Sequence, residues 1–355
     1  MKTSIFFAAL ALAASMTAYA EHYKVIVPLD EDSNGAQAVL LNYDNGAAID
    51  TVTVADQTAV FEGEIDEPLI ARVNVDGGRG PIFVLESGTI SFNKNNDAFG
   101  TMYNDQIRAI SEQLAKIAEE FRNAATDEAK YAAYEKYNDT IEKAMNENGD
   151  NIVGYFCFLN GESSQMDADE LREIFKKYPS FAKYARSQKL LANAEKREAT
   201  QPGKKFIDFE VSYNGETKRL SDYVGKGKYV LVDFWASWCG PCIRQTEVLK
   251  KIYNKYGRDV LDVLGVAVWD DPDATLKAVK DHELPWESIL NAQTIPTDLY
   301  GITGIPCIIL FGPDGTILSR GKQSEELIAD VDRELAKTQI APSSTNKTEG
   351  APFSR

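Results

Sequence analysis

Histidine is scarce in this chain of 355 residues: His22 and His282 are the only two, and they stand far apart. Cysteine is scarce as well, with four residues, Cys157, Cys239, Cys242 and Cys307. A zinc site needs four ligands, usually two pairs of similar spacing, and one close cysteine pair with two isolated histidines does not supply them. A disulfide-stapled secreted domain would carry more cysteines in a shorter chain. Basic residues are outnumbered: 38 Lys and Arg stand against 54 Asp and Glu, a formal net charge of -16. That balance argues against nucleic acid and anionic membrane surfaces as partners and reads as a solubility device. Long apolar runs are confined to the N-terminus. No later stretch approaches the length of about 18 apolar residues that a membrane span needs.

What is present begins with a leader. Lys2 is a basic n-region, Ile5 to Ala14 an apolar h-region too short to span a bilayer, and Ala18-Tyr19-Ala20 a small-residue cleavage site. Residues 1–20 read as a signal peptide cleaved after Ala20, and no cysteine follows the cut to carry a lipid. The chain is therefore expected in the periplasm, where disulfides persist. A composition of 44% hydrophobic and 26% charged residues is that of packed globular domains. The length allows two or three of them.

Three patterns follow one another. From Tyr23 to Phe92, short β-like runs such as "KVIV", "AVLLNY", "LIARVNV" and "IFVLE" are separated by turn signals at Asn34-Gly35, Asn45-Gly46 and Gly77-Gly78. This predicts a small all-β sandwich or barrel over 21–97. The period changes near Ala98. Ile107, Ile110, Leu114, Ile117 and Phe121 fall on one helix face, and Tyr134, Tyr137, Ile141 and Ala144 on that of a second helix. Thr126 starts that second helix and Asn148-Gly149 stops it. Tyrosines at helical spacing read as core. Further helices are predicted over 167–178 and 180–197, completing a helical domain over 98–198. Cys157, in the apolar "NIVGYFCFLN", reads as a small buried hydrophobe.

"ATQPGKK" (199–205) reads as a linker. After it come a hairpin turning at Asn214-Gly215 and strands at 229–235, 260–268, 307–311 and 316–319. Helices at 241–256, 272–283 and 324–337 interleave with them, which predicts an α/β unit with a mixed sheet over 199–338. Residues 339–355 are polar and read as a disordered tail.

The chemistry concentrates in "LVDFWASWCGPCIRQ", residues 231–245. A run that should be a buried strand ends just before Cys239. Cys239 would then cap a helix beginning at Pro241, whose missing N–H is not needed there. Free N–H groups and a partial positive charge at a helix N-terminus stabilise a thiolate. Gly240 leaves space for a partner's sulfur, and Cys242, inside the first turn, should be less exposed. A bridge over so short a loop adds little stability, so the pair is expected to be redox-active. Cys239 would attack a disulfide and Cys242 would resolve the mixed disulfide. Asp233 is one acid in an apolar strand. Burial should raise its pKa, which suits a proton acceptor and donor for Cys242; on an edge strand it would be an ordinary exposed acid. Pro306, just before another strand, signals an unusual peptide bond or an edge.

These residues carry a resemblance. "VLVDFWASWCGPC" and "GITGIPCIILF" are similar to thioredoxin, and 202–338 resembles the extracytoplasmic thioredoxin-like proteins of the TlpA and ResA type. The resemblance implies a thioredoxin fold, a cis Ile305–Pro306 bond facing the cysteine pair, and an apolar substrate surface of Trp238, Ile305 and Pro306. The all-β and helical domains resemble those ahead of such modules in some bacterial envelope proteins. Two departures stand out. Thioredoxin has a lysine near its buried acid, and "VLDVLGVAVWD" has none; Cys307 stands where thioredoxin has threonine. Strand alternation favours a buried, apolar role for Cys307 over a third redox thiol.

The expected protein is a multi-domain periplasmic thiol–disulfide oxidoreductase without metal or cofactor. It would reduce disulfide-bearing envelope proteins with electrons from a membrane thiol donor, and its N-terminal domain is a candidate contact for a homo-oligomer. Two rival readings are a thiol peroxidase of the peroxiredoxin kind and a ligand- or partner-binding protein with a redox switch. The first normally sets a single cysteine in a Pro/Thr-rich turn, which Pro241 and Thr246 do not form.

Overall fold

The computed structural model describes residues 21–340. The expected signal peptide with its cleavage site and the tail beyond 340 lie outside the described residues. Two compact units emerge among the described residues: 21–166 with Leu171–Gln188 form one, and Asp167–Glu170 with 189–340 form the other. Among the described residues no helix is long and apolar enough to cross a membrane.

The first unit begins with eight strands: β1 Glu21–Pro28, β2 Gln37–Asn42, β3 Ala48–Thr53, β4 Thr58–Ile65, β5 Leu69–Val75, β6 Gly78–Leu85, β7 Gly88–Phe92 and β8 Ala98–Phe99. They form two four-stranded sheets in the orders β4-β1-β7-β8 and β3-β2-β5-β6. Period-two alternation sends Tyr23, Val25 and Val27 from one sheet, and Leu40, Val73, Phe83 and Leu85 from the other, into one shared core. Each apolar side chain so buried contributes about 1.5–3 kcal/mol.

Helices α1 Met102–Asn123, α2 Asp127–Asn148, α3 Ile152–Asn160, α4 Ala168–Lys177 and α5 Ala185–Ala199 follow. The Thr126 hydroxyl accepts the Ala129 amide at the start of α2, and Gly149 ends that helix with φ of 59°. The predicted apolar face is only partly core. Ile107, Ile117, Ile141 and Ala144 are buried, but Phe121 and Tyr134 are exposed. Tyr134 turns its hydroxyl outward to donate to Glu162, and this polar tip is why helical spacing misjudged it. The helix expected from Ser180 instead opens with a 3-10 turn at Phe181–Lys183, and α5 starts at Ala185. The Asp44 carboxylate sets that start by accepting the amides of Ala185 (2.6 Å) and Arg186 (2.9 Å).

The second unit holds β9 Glu210–Tyr213, β10 Glu216–Arg219, β11 Tyr229–Trp235, α6 Gly240–Lys255, β12 Leu261–Ala267, α7 Pro272–Asp281, β13 Glu287–Ile289, α8 Ile295–Tyr300, β14 Cys307–Phe311, β15 Ile317–Arg320 and α9 Ser324–Ile340. Strands β9 and β10 form the expected hairpin, and five strands make the main sheet in the order β13-β12-β11-β14-β15. Strand β11 is central, parallel to β12 and antiparallel to β14. All seven of its residues are buried because both sheet faces are covered. Val230, Val232 and Phe234 pack on one face, and Leu231 and Trp235 on the other. The stretch expected to be a free linker is bonded into this sheet. The Gly203 amide donates to the Ile317 carbonyl and the Ile317 amide to the Lys204 carbonyl, both at 2.8 Å, because β15 leaves its outer edge open.

Candidate active site

Strand β11 ends at Trp235, and four residues later Cys239 occupies the N-cap of α6, its sulfur accepting the Cys242 amide at 3.2 Å. Pro241 follows in the first turn, where its ring fits and no donor is lost. Cys239 and Cys242 are joined as a disulfide. Cys239 keeps 4% exposure and Cys242 none. The structure therefore places the first sulfur at the surface side of the pair and the second inside it. Gly240 is exposed, and a side chain there would touch only the Arg244 guanidinium, at 3.7 Å. The approach to the pair is open on that side.

The partner wall comes from the segment before β14. The Ile305–Pro306 bond is cis, and the Ile305 carbonyl oxygen lies 3.7 Å from the Cys239 sulfur. Ile305 and Pro306 are half-buried, while Trp238 is 62% exposed. Trp238 directly precedes Cys239 and leaves its indole largely in water.

Asp233 lies in the centre of the sheet, not at its edge. It is 1% exposed, and burial pushes its carboxyl up to about 7. By alternation along β11 it shares the face of Leu231 and Trp235, the face on which Cys242 packs. Its Oδ1 has no hydrogen-bond partner among the described residues. Cys307 pairs with Phe234 across the sheet and belongs to the opposite cluster. Burial pushes its thiol up to about 11, as it does that of Cys157, buried in the first unit.

A second group carries no signal of its role in the sequence. The Asp270 carboxylate, buried just past β12, accepts the Ser237 amide (2.7 Å), the Ser237 hydroxyl (2.8 Å) and the Thr275 hydroxyl (2.7 Å). The Trp238 indole N–H donates to the Trp269 carbonyl at 2.9 Å. These bonds fasten the residues before Cys239 to the start of α7. The adjacent acids and proline of "WDDPD" mark a helix start, but nothing in them names Ser237 as a partner.

Comparison with known proteins agrees with this geometry. Residues 202–320 match the AhpC/TSA family, and residues 23–117 match DUF4369, a domain of unknown function. The chain is 25% identical over 138 residues to the thiol-disulfide oxidoreductase ResA of Bacillus thuringiensis subsp. konkukian, covering 38% of this chain and 79% of that protein. It is 28% identical over 123 residues to the ResA of Geobacillus kaustophilus, covering 34% and 68%. Among solved structures, the thioredoxin domain of a thiol-disulfide oxidoreductase from Bacteroides vulgatus is 28% identical, with a TM-score of 0.35, covering 38% of this chain and 97% of that one. The C-terminal domain is thus thioredoxin-like and of the thiol–disulfide oxidoreductase type, behind a β-rich N-terminal domain and a helical central region.

Proposed function

We propose that this protein reduces disulfides of envelope proteins in the periplasm through the Cys239–Cys242 dithiol. One observation carries the reading: a disulfide at the N-terminus of α6 faces the cis Ile305–Pro306 segment, with its outer sulfur on Cys239. In the reduced protein the Cys239 thiolate attacks a substrate sulfur. One substrate thiol leaves, and a mixed disulfide forms on Cys239. Asp233 takes the proton of Cys242, and the Cys242 thiolate attacks the Cys239 sulfur. The Cys239–Cys242 bond forms, the bond to substrate breaks, and two electrons have passed to the substrate. Trp238, Ile305 and Pro306 hold the substrate strand during both attacks, and Gly240 and Pro241 keep the helix end open and preformed.

The Gly-Pro pair between the cysteines favours reduction, since thioredoxin, with the same pair, has a potential of roughly -270 mV. A membrane thiol carrier would return the oxidised pair to the dithiol. The first unit would select substrates or bring copies of the chain together, and nucleic acid is not a partner. Cys239→Ser should abolish insulin-type disulfide reduction; retained activity would sink the assignment. A measured potential near roughly -120 mV would make the protein an oxidase. A Cys242→Ser variant should hold its natural substrates as mixed disulfides for mass spectrometry. A thiol peroxidase is the rival reading, and peroxide consumption by the reduced protein decides between them.

A further inference from the structure

One row of residues crosses the main sheet beside Asp233. The register sets Asp233 opposite Ile308 on β14 and opposite Gly265 on β12, and Gly265 opposite Ser288 on β13. Lateral partners share a face, so all four lie on the side where Cys242 packs. Gly265 stands where a side chain would separate Asp233 from Ser288. A Cβ added there would lie 3.0 Å from both Ser288 Oγ and Trp235 Nε1. With Trp286 Nε1 at 3.6 Å as well, polar groups surround the spot at hydrogen-bonding range, and a methyl there would push its two nearest neighbours aside by a few tenths of an ångström.

Three buried polar atoms on this sheet face lack a hydrogen-bond partner among the described residues: Asp233 Oδ1, Trp235 Nε1 and Ser288 Oγ. A buried polar atom left unpaired is destabilising, and three on one sheet face are too many for packing alone to explain. Their chemistry is complementary. The indole nitrogen only donates, the carboxylate accepts, and the hydroxyl does both. Strands lie about 4.8 Å apart, so Asp233 and Ser288 are about 10 Å apart at the backbone. Ser288 Oγ has already crossed towards Gly265. A buried water commonly makes about three hydrogen bonds, one for each of these atoms.

We propose that Gly265 seats one ordered water between Asp233 and Ser288, and that Ser288 is a positioning residue for proton traffic to and from Asp233. This rests on the reading of Asp233 as proton acceptor for Cys242. Trp235 Nε1 donates to the water and orients it. When Asp233 has taken the Cys242 proton, the water accepts that proton and passes one of its own to Ser288 Oγ. The Ser288 hydroxyl is itself covered, so its proton reaches solvent on local opening of the edge strand β13, which is three residues long. No proton is created or lost, and no electron moves along this path. The arrangement serves where a lysine beside the buried acid is lacking: β12 has none.

The test separates the two thiol steps. Reduced protein is mixed rapidly with an aromatic disulfide whose thiol absorbs visible light. Attack by Cys239 releases one coloured thiol, and resolution by Cys242 releases the second. Ser288→Ala should leave the first phase unchanged and slow the second about tenfold. Ser288→Thr, which restores a hydroxyl, should bring the second phase back. Gly265→Ala, which fills the spot, should behave as Ser288→Ala if it folds. A second phase unchanged in Ser288→Ala, both phases slowed equally, or no rescue by threonine overturns the proposal. Absence of any coloured thiol with the parent protein would instead overturn the dithiol function itself.

Discussion

Ser237 gives both its amide and its hydroxyl to the Asp270 carboxylate, at 2.7 and 2.8 Å, thirty-three residues along the chain. This pair ties the turn before Cys239 to the start of α7, so the cysteine's position depends on a residue outside the cysteine motif. Asp270→Ala would orphan the Ser237 amide and the Ser237 hydroxyl, while the Thr275 hydroxyl would keep the Asp271 carbonyl at 3.1 Å. We expect a loss of about 3 kcal/mol. The four tryptophans, Trp235, Trp238, Trp269 and Trp286, all lie in the second unit, so denaturation followed by their fluorescence reads that unit alone. The variant should also reduce disulfides with a lower kcat/KM. A denaturation midpoint equal to the parent's would remove this role from Asp270.

Asp233 predicts a pH dependence with a definite sign. Its folded value of about 7 lies above an unfolded value of about 3.9. Between the two, the folded chain holds a proton that the unfolded chain has released. Its contribution to stability is therefore greatest at acid pH and falls as pH rises through about 4 to 7. Asp233→Asn removes the titration. In the oxidised state, the variant should gain on the parent across that window and hold its advantage above it. Three units at about 1.36 kcal/mol each set the ceiling, roughly 4 kcal/mol. A constant difference between the two proteins from pH 4 to 8 would contradict the burial argument.

The four cysteines should separate under alkylation. Burial pushes Cys157 and Cys307 up to about 11, so at pH 7 almost none of either is thiolate. Cys239 lies at a helix N-terminus, which favours its thiolate. Reduced, folded protein treated at pH 7 with a limiting alkylating reagent should carry one label, on Cys239. Cys157 and Cys307 should react only after denaturant is added. Mass spectrometry of the peptides reads this directly, and early label on Cys307 would reopen a redox role for it.

Much of the second unit was legible because its signals are local. The Asn214-Gly215 turn has φ of 52° and 79°, as a two-residue hairpin with both central residues at positive φ requires. The N-cap at Cys239 and the apolar β11 were readable for the same reason. The failures come from partners far along the chain. Asp44 fixes the start of α5 from 141 residues away. Strand β15 captures Gly203 and Lys204, which composition alone marked as a linker. Strand β13 is three residues long and has no period to detect. Gly265 shows its meaning only once β13 and the Trp235 indole close around it. Periodicity reports that a side chain faces something, and it does not say what.

Gly301 and Gly304 provide a matched pair on the segment leading to the cis bond. Gly301 ends α8 with φ of 60°, and a Cβ there would lie 2.3 Å from the Asn193 carbonyl oxygen and 2.9 Å from the Arg197 amide nitrogen, both on α5. These are backbone atoms of a helix and cannot turn aside as a side chain would. Gly301→Ala must also hold alanine in the left-handed region, which costs about 1 kcal/mol before any clash. Moving the loop or the helix adds about 1–3 kcal/mol. We expect a total loss of about 2–4 kcal/mol, with a weaker KM as Ile305 and Pro306 shift away from Cys239. Gly304 has nothing within 4 Å of its added Cβ, so Gly304→Ala should stay within about 0.5 kcal/mol of the parent. Equal stability of the two variants by tryptophan-monitored denaturation would show that α5 does not brace this loop.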